Sequence, residues 1–220
     1  MAVLVSISPK LERPKWLRAP APAGENYRDL KGLIERLRLH TVCESAACPN
    51  VGECWNHRTA TFMMLGNVCT RRCGFCAVQK GAPLPVDYDE PARIAEAVSL
   101  MGLKFAVITS VNRDDRPDGG AELFAMVIRE IRQRVAGCGV EVLIPDFQGN
   151  LEAVETVMEA CPDVLNHNTE TVPRLYRQVR LGARYERSLE VLQHARRVRP
   201  ETSTKSGLML GLGETAEEVI

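Results

Sequence analysis

From Thr61 onward the chain alternates short apolar runs with longer stretches of helical period, and few folds accommodate that alternation. The runs are TFMML (61–65), FAVITS (105–110), VEVLI (140–144), DVLN (163–166) and SGLML (206–210). They are brief and largely aliphatic, as strands of a parallel sheet covered on both faces are. The stretches between them predict crossover helices. One begins near Asp89, with Pro91 in its first turn and Ile94, Val98 and Met101 on one face. A second runs from about Gly120 and stacks Phe124, Ile128, Ile131 and Val135. A third follows Asn150 with Leu151, Val154, Met158 and Cys161 in line, which makes Cys161 core filling. Cys138 has no partner at ligand spacing and takes no role. The fold class is therefore α/β, built on parallel strands.

The 220 residues suffice for one substantial domain burying about 70% of the surface of its unfolded chain. The 28 basic and 28 acidic side chains cancel, so no net field draws the chain to nucleic acid or to an anionic membrane. The opening MAVLVSI is too short to span a bilayer, and its flanks are not those of an export signal or a mitochondrial presequence. Retention in a reducing compartment, the cytoplasm, makes the eight cysteines metal ligands or free thiols rather than disulfides. Residues 1–26 include a Pro-rich stretch suited to an extended arm, and a short amphipathic helix is predicted at about 28–39.

Parallel sheets bind ligands beyond the carboxyl ends of their strands. Here those ends lead into NVCTRRCGFC (67–76), SVNRDD (110–115), PDFQ (145–148), HNTET (167–171) and GLGE (211–214), polar and glycine-rich at all five. Polar loops are common in any protein, so the first of them carries most of the argument. It holds Cys69, Cys73 and Cys76, three thiolates where a closed four-coordinate site takes four. Such a triad implies a distant fourth ligand or an open metal position. A second triad, Cys43, Cys48 and Cys54, lies upstream, with Pro49 and Gly52 to let the backbone bend. Two triads suggest two iron–sulfur clusters. One zinc ion shared between them would use four of the six thiolates and leave two idle.

With those motifs in view, the chain resembles the radical S-adenosylmethionine (SAM) superfamily and, within it, the lipoyl synthase family. The resemblance rests on the Cys69–Cys73–Cys76 spacing with Phe75 before the last cysteine, on the upstream triad, and on RTATFMMLGNVCTRRCGFC, TSVNRDD, HNTETV and GLMLGLGE. It runs from about Lys15 to the end of the chain. It implies a partial (β/α) barrel of the radical SAM type over residues 58–220, with five of six strands expected here. Residues 1–57 would form an N-terminal arm and cluster-binding extension.

The resemblance also implies two [4Fe-4S] clusters and SAM as cofactors. Cys69, Cys73 and Cys76 would leave one iron free for SAM, whose cleavage gives a radical able to attack an unactivated alkyl carbon. Cys43, Cys48 and Cys54 would hold the cluster that donates sulfur to C6 and C8 of a protein-bound octanoyl-lysine. Carried over residue by residue, the SAM pocket takes Phe75, the edge Thr109–Ser110–Val111, Asn168 with Glu170, and Gly207, Gly211 and Glu214. Lys205, Arg113 and Arg180 are candidates for carboxylate or substrate amide groups, against solvated surface roles. His57 is weighed as a donor beside a cluster and His167 similarly, against packed or surface histidines. The implied partners are octanoylated lipoyl-carrier domains, namely 2-oxoacid dehydrogenase E2 subunits and the glycine-cleavage H protein, with flavodoxin or ferredoxin as reductant.

The family pattern continues past a fifth strand to a sixth and to an Arg-Ser-Ser-Tyr segment whose serine completes the donor cluster. The expectation for a chain ending at Ile220 is a donor cluster that is labile or completed by solvent. Biotin synthase, the nearest enzymatic rival, lacks an upstream triad of this spacing. A zinc-stabilised binding module or a passive electron carrier stands as the reading from another class, and a truncated or degenerate iron–sulfur protein as the alternative within the family.

Overall fold

The computed structural model describes residue 19 and residues 21–220. The MAVLVSI opening and most of the Pro-rich arm lie outside the described residues. Chain order is α1 (Glu25–Arg36), β1 (His40–Thr41), α2 (Val42–Ser45), α3 (Val51–Asn56), β2 (Thr61–Met64), β3 (Val68–Cys69), β4 (Gln79–Lys80), α4 (Glu90–Met101), β5 (Phe105–Ser110) and α5 (Ala121–Arg134). It continues with β6 (Gly139–Leu143), α6 (Leu151–Glu159), β7 (Val164–Asn166), α7 (Tyr176–Val179), α8 (Tyr185–Val198), β8 (Ser203–Lys205) and α9 (Ala216–Val219).

The main sheet has the order β1-β2-β5-β6-β7-β8. Its last five strands are parallel, in registers such as Phe62 with Ile108 and Leu165 with Thr204, and β1 pairs antiparallel with β2. The sheet is open rather than a closed barrel. Its outward side chains, among them Phe62, Ala106, Ile108, Val140, Val142 and Leu165, are fully buried with Ile94, Val98, Phe124, Ile128, Val154 and Met158 of the helices. The opposite face carries Thr109, Glu141 and Asn166, because alternate residues of a strand point to opposite sides. That polar face is where a ligand can sit.

The extension is tied to this frame. Tyr27 of α1 stacks on the buried Trp55 of α3 with ring centroids 5.1 Å apart, and the Asn56 amide donates to the Ala23 carbonyl at 2.7 Å. Among the described residues no helix is long and apolar enough to cross a membrane.

Four expectations are corrected. The last strand is Ser203–Lys205 and not 206–210, where Leu208 and Leu210 are exposed and a single bridge joins Leu208 to Glu170. Hydrogen bonds from Ser203 N–H to the Asp163 carbonyl and from the Thr202 hydroxyl to the Pro162 carbonyl fix this register. Cys161 is exposed rather than core, because α6 ends at Glu159 and Cys161 takes a left-handed φ of 61° before Pro162. The first helix begins at Glu25, earlier than expected, and the second crossover helix stops at Arg134 with Val135 as its cap. Gly120, which caps that helix at φ 93°, has no tolerance for a side chain: a Cβ there would stand 2.3 Å from Leu65 Cδ1.

Candidate functional site

The three-cysteine loop grows directly from β2. After Met64 the chain turns through Leu65 and Gly66, both at positive φ, and enters β3. Parallel pairing of β3 with β4 closes the intervening segment into a loop carrying Cys73 and Cys76, with Cys69 at its base. The buried Glu90, first residue of α4, accepts the Leu65 N–H at 2.7 Å and so fixes the turn that launches the loop. Desolvation raises the Glu90 carboxyl to about 7.

The Cys69 sulfur accepts two backbone N–H groups, from Asn112 at 3.3 Å and Arg71 at 3.4 Å. The Thr70 N–H and hydroxyl both donate to the Asn112 carbonyl, and Gly74 N–H donates to the Val179 carbonyl at 2.8 Å. Burial and the neighbouring Cys76 and Cys69 push the Cys73 thiol above its ordinary range, opposed by Arg180 and Arg71. Crowding of thiols that raise one another's pKa is relieved by a bound cationic centre.

In the upstream triad, Cys43 lies on α2, Cys54 on α3 and Cys48 between them, all half-buried. Burial, followed by Cys43 and Cys48, raises the Cys54 thiol, so this triad is also mutually felt. The sharp turn is made by Ala47 at φ 49° rather than by the expected Pro49 and Gly52; Gly52 is buried within α3. Among the described residues no three His, Cys, Asp or Glu side chains stand close enough to hold one metal ion.

A cavity of about 480 Å³ joins these parts. Cys69, Cys73, Cys76 and Phe75 form one wall, and Thr109, Ser110 and Val111 at the end of β5 another. Asn168, Glu170 and Arg180 also border it, as do Val42 and Ala46 beside the upstream triad. The volume falls within the range of small-ligand sites. Two features fit a polar, nucleoside-sized ligand there. The Ser110 hydroxyl is buried without a hydrogen-bond partner. Arg180 is buried, and its guanidinium donates to the hydroxyls of Tyr176 at 3.1 Å and Ser188 at 2.9 Å, with no carboxylate in ion-pair contact among the described residues.

Other expected residues take different places. Gly207, Gly211 and Glu214 do not line the cavity. A Cβ on Gly207 would lie 2.7 Å from Asn168 Oδ1, so the glycine makes room for the Asn168 side chain. Glu214 accepts the N–H groups of Gly211 and Leu212 and holds an exposed turn. Lys205 pairs with Glu141 at 2.9 Å, and Arg113 forks onto Asp115 at 2.8 and 2.9 Å. His57 is exposed at the end of α3.

His167 is fully buried, with Nδ1 2.8 Å from the Ile144 carbonyl and Nε2 3.0 Å from the Ser188 hydroxyl. A carbonyl only accepts, so Nδ1 carries the proton in this network. Desolvation, with Arg180 adding to it, lowers this histidine to about 4 and keeps it neutral. Glu170, at φ 65°, has its carboxyl raised by burial against the pull of Asn168 and Arg180. Sequence reasoning missed Glu90, Asn112 and the buried pair Arg71 and Asp146. SVNRDD and PDFQ marked the loops, and nothing in them named the partners.

Against known proteins, the family model described as the radical SAM superfamily matches residues 63–220, and that of the N-terminal domain of lipoyl synthase matches residues 4–48. The lipoyl synthase of Koribacter versatilis (strain Ellin345) is 62% identical over 220 residues, covering 99% of this chain and 72% of that protein. The lipoyl synthase of Chloroflexus aurantiacus is 61% identical over 94% of this chain and 68% of its own length. Among solved structures, methylornithine synthase aligns with a TM-score of 0.54 at 16% identity, covering 71% of this chain and 46% of that one. A maturase of the [FeFe]-hydrogenase aligns with a TM-score of 0.54 at 15% identity, covering 89% and 42%. The structural likenesses bear on the fold alone.

Proposed function

The chain belongs to the lipoyl synthase family of the radical SAM superfamily, and from that premise we infer that the cavity beside Cys69 is its SAM site. Its activity is that of a radical SAM sulfurtransferase using SAM and [4Fe-4S] chemistry on lipoyl-carrier protein. The finer assignments are our reading. Cys69, Cys73 and Cys76 hold the cluster that meets SAM, and Cys43, Cys48 and Cys54 hold a second. The substrate is an octanoyl-lysine on an E2 or H-protein lipoyl domain, sulfur enters at C6 and C8, and flavodoxin or ferredoxin is the reductant.

The observation that carries this reading is one cavity bordered by the first triad, by Phe75, Thr109, Ser110, Val111, Asn168 and Glu170, and by the segment bearing the second triad. When bound, SAM and the clusters supply a radical that removes hydrogen from an unactivated carbon and the sulfur that replaces it. The chain's own residues bind, orient and exclude water. Arg180 offers a desolvated guanidinium to the methionyl carboxylate. The Ser110 hydroxyl and the Asn168 amide offer hydrogen bonds, and Gly207 gives the amide the space it needs. Met63, Leu143, Ile144 and Met209 line the rest and keep water from a reactive intermediate. Neutral His167 anchors the Ile144 carbonyl.

The test is anaerobic incubation with reductant, SAM and an octanoyl-lysine peptide, followed by mass spectrometry. The reading expects 5′-deoxyadenosine together with a thiolated peptide. Absence of both from a preparation carrying its iron would contradict it.

A further inference from the structure

Arg71 lies two residues past Cys69, yet its side chain points into the protein and is 5% exposed. Its guanidinium grips two carboxylates on different loops. Nε and Nη2 fork onto Asp114 after β5, at 2.7 and 2.9 Å. Nη2 also reaches Asp146 after β6, at 2.5 Å. Asp146 is wholly buried and gives its other oxygen to Arg187 of α8 at 3.2 Å. Loop and sheet are thus joined by four charges that balance in pairs, a form that a buried network tolerates only when every member is satisfied.

The main chain of the same residues serves Cys69. The two N–H groups on its sulfur belong to Arg71 and to Asn112, and Asp114 N–H donates to the Thr70 hydroxyl at 3.1 Å. We propose that Arg71 is a positioning residue for the three-cysteine loop: its buried fork on Asp114 and Asp146 holds the Arg71 and Asn112 N–H groups against the Cys69 sulfur before any cluster is present. This rests on the reading of Cys69 as a cluster ligand, and it assigns to the chain's own fold the preorganisation of that ligand. N–H groups on a ligand sulfur also raise the reduction potential of the cluster it holds.

The test begins with cluster-free protein, reduced and alkylated for short times, with labelling at each cysteine read by mass spectrometry. In Arg71→Met the loop loses hydrogen bonds to charged groups, and Cys69 should label on the order of tenfold faster. Cys43 and Cys54 should keep their rates, the buried Cys138 should stay protected, and Arg71→Lys should fall between parent and Arg71→Met. An unchanged rate at Cys69, or acceleration at Cys138 equal to that at Cys69, would overturn the proposal. Should Arg71→Met fail to fold, Asp114→Asn removes one arm of the fork from its more exposed side and is read by the same two outcomes. After anaerobic loading, the midpoint potential of the cluster on Cys69, Cys73 and Cys76 should be more negative in the folded variant than in the parent, and an unchanged potential would count against the proposal. Because the labelling uses protein without a cluster, it tests the clasp even if the loop proves to hold something other than iron and sulfide.

Discussion

Replacing Glu90 by glutamine should change the pH dependence of stability more than stability itself. Glu90 is 4% exposed and its carboxyl is raised from 4.5 to about 7, so between those values the folded chain keeps a proton that the unfolded chain has lost. Its contribution is full below 4.5 and disappears as pH rises through about 7, at a slope of about 1.4 kcal/mol per pH unit. Buried His167 acts in the opposite sense. Its pKa is lowered from 6.5 to about 4, so the unfolded chain takes up a proton first, and stability falls as pH drops across that interval. Where the intervals overlap, from 4.5 to 6.5, the two slopes nearly cancel, each amounting to about 3 kcal/mol. Glu90→Gln removes one slope and exposes the other. Urea unfolding of reduced, cluster-free protein at a series of pH values should show the variant losing about 3 kcal/mol on acidification through the overlap while the parent stays comparatively flat. Parallel profiles for parent and variant would refute the reasoning, since Glu90 would then titrate alike in both states.

Gly207→Ala places a methyl 2.7 Å from Asn168 Oδ1 and should weaken SAM binding by roughly tenfold while leaving the iron content unchanged, as measured by equilibrium binding and iron assay on loaded protein. Arg180→Met should raise the Kd for SAM by about 10- to 100-fold with only a modest fall in the unfolding midpoint, because its hydrogen-bond partners are the hydroxyls of Tyr176 and Ser188 rather than carboxylates; a large loss of stability with unchanged SAM affinity would assign Arg180 a packing role. In loaded protein, Cys161 should be the cysteine that alkylates readily, whereas buried Cys138 resists, as peptide mapping will show.

The sheet was legible because buried parallel strands read as apolar runs, and four of the five runs lie where the strands are. The fifth misled for an instructive reason: SGLML is apolar yet exposed at Leu208 and Leu210, while the polar STK beside it takes the strand because its backbone register and the Lys205–Glu141 pair hold it there. Cys161 misled similarly. Its spacing continues the apolar stripe of α6, but the helix ends two residues earlier and the thiol swings outward. Two-residue strands such as β1, β3 and β4 carry no periodicity to detect. Within the site, the cysteine spacings and the loops at the strand ends were visible because their chemistry is local. The clasp on Arg71 was not, since its partners lie 43 and 75 residues away and an arginine between two cysteines reads equally well as a solvated side chain.

The most direct measurement compares two triple variants under anaerobic reduction with SAM and octanoyl-lysine peptide. With Cys69, Cys73 and Cys76 all changed to alanine, the account predicts neither 5′-deoxyadenosine nor thiolated peptide. With Cys43, Cys48 and Cys54 changed, it predicts that 5′-deoxyadenosine still forms while the thiolated product is lost. Persistence of 5′-deoxyadenosine in the first variant, or of thiolated peptide in the second, would contradict the division of labour between the two triads.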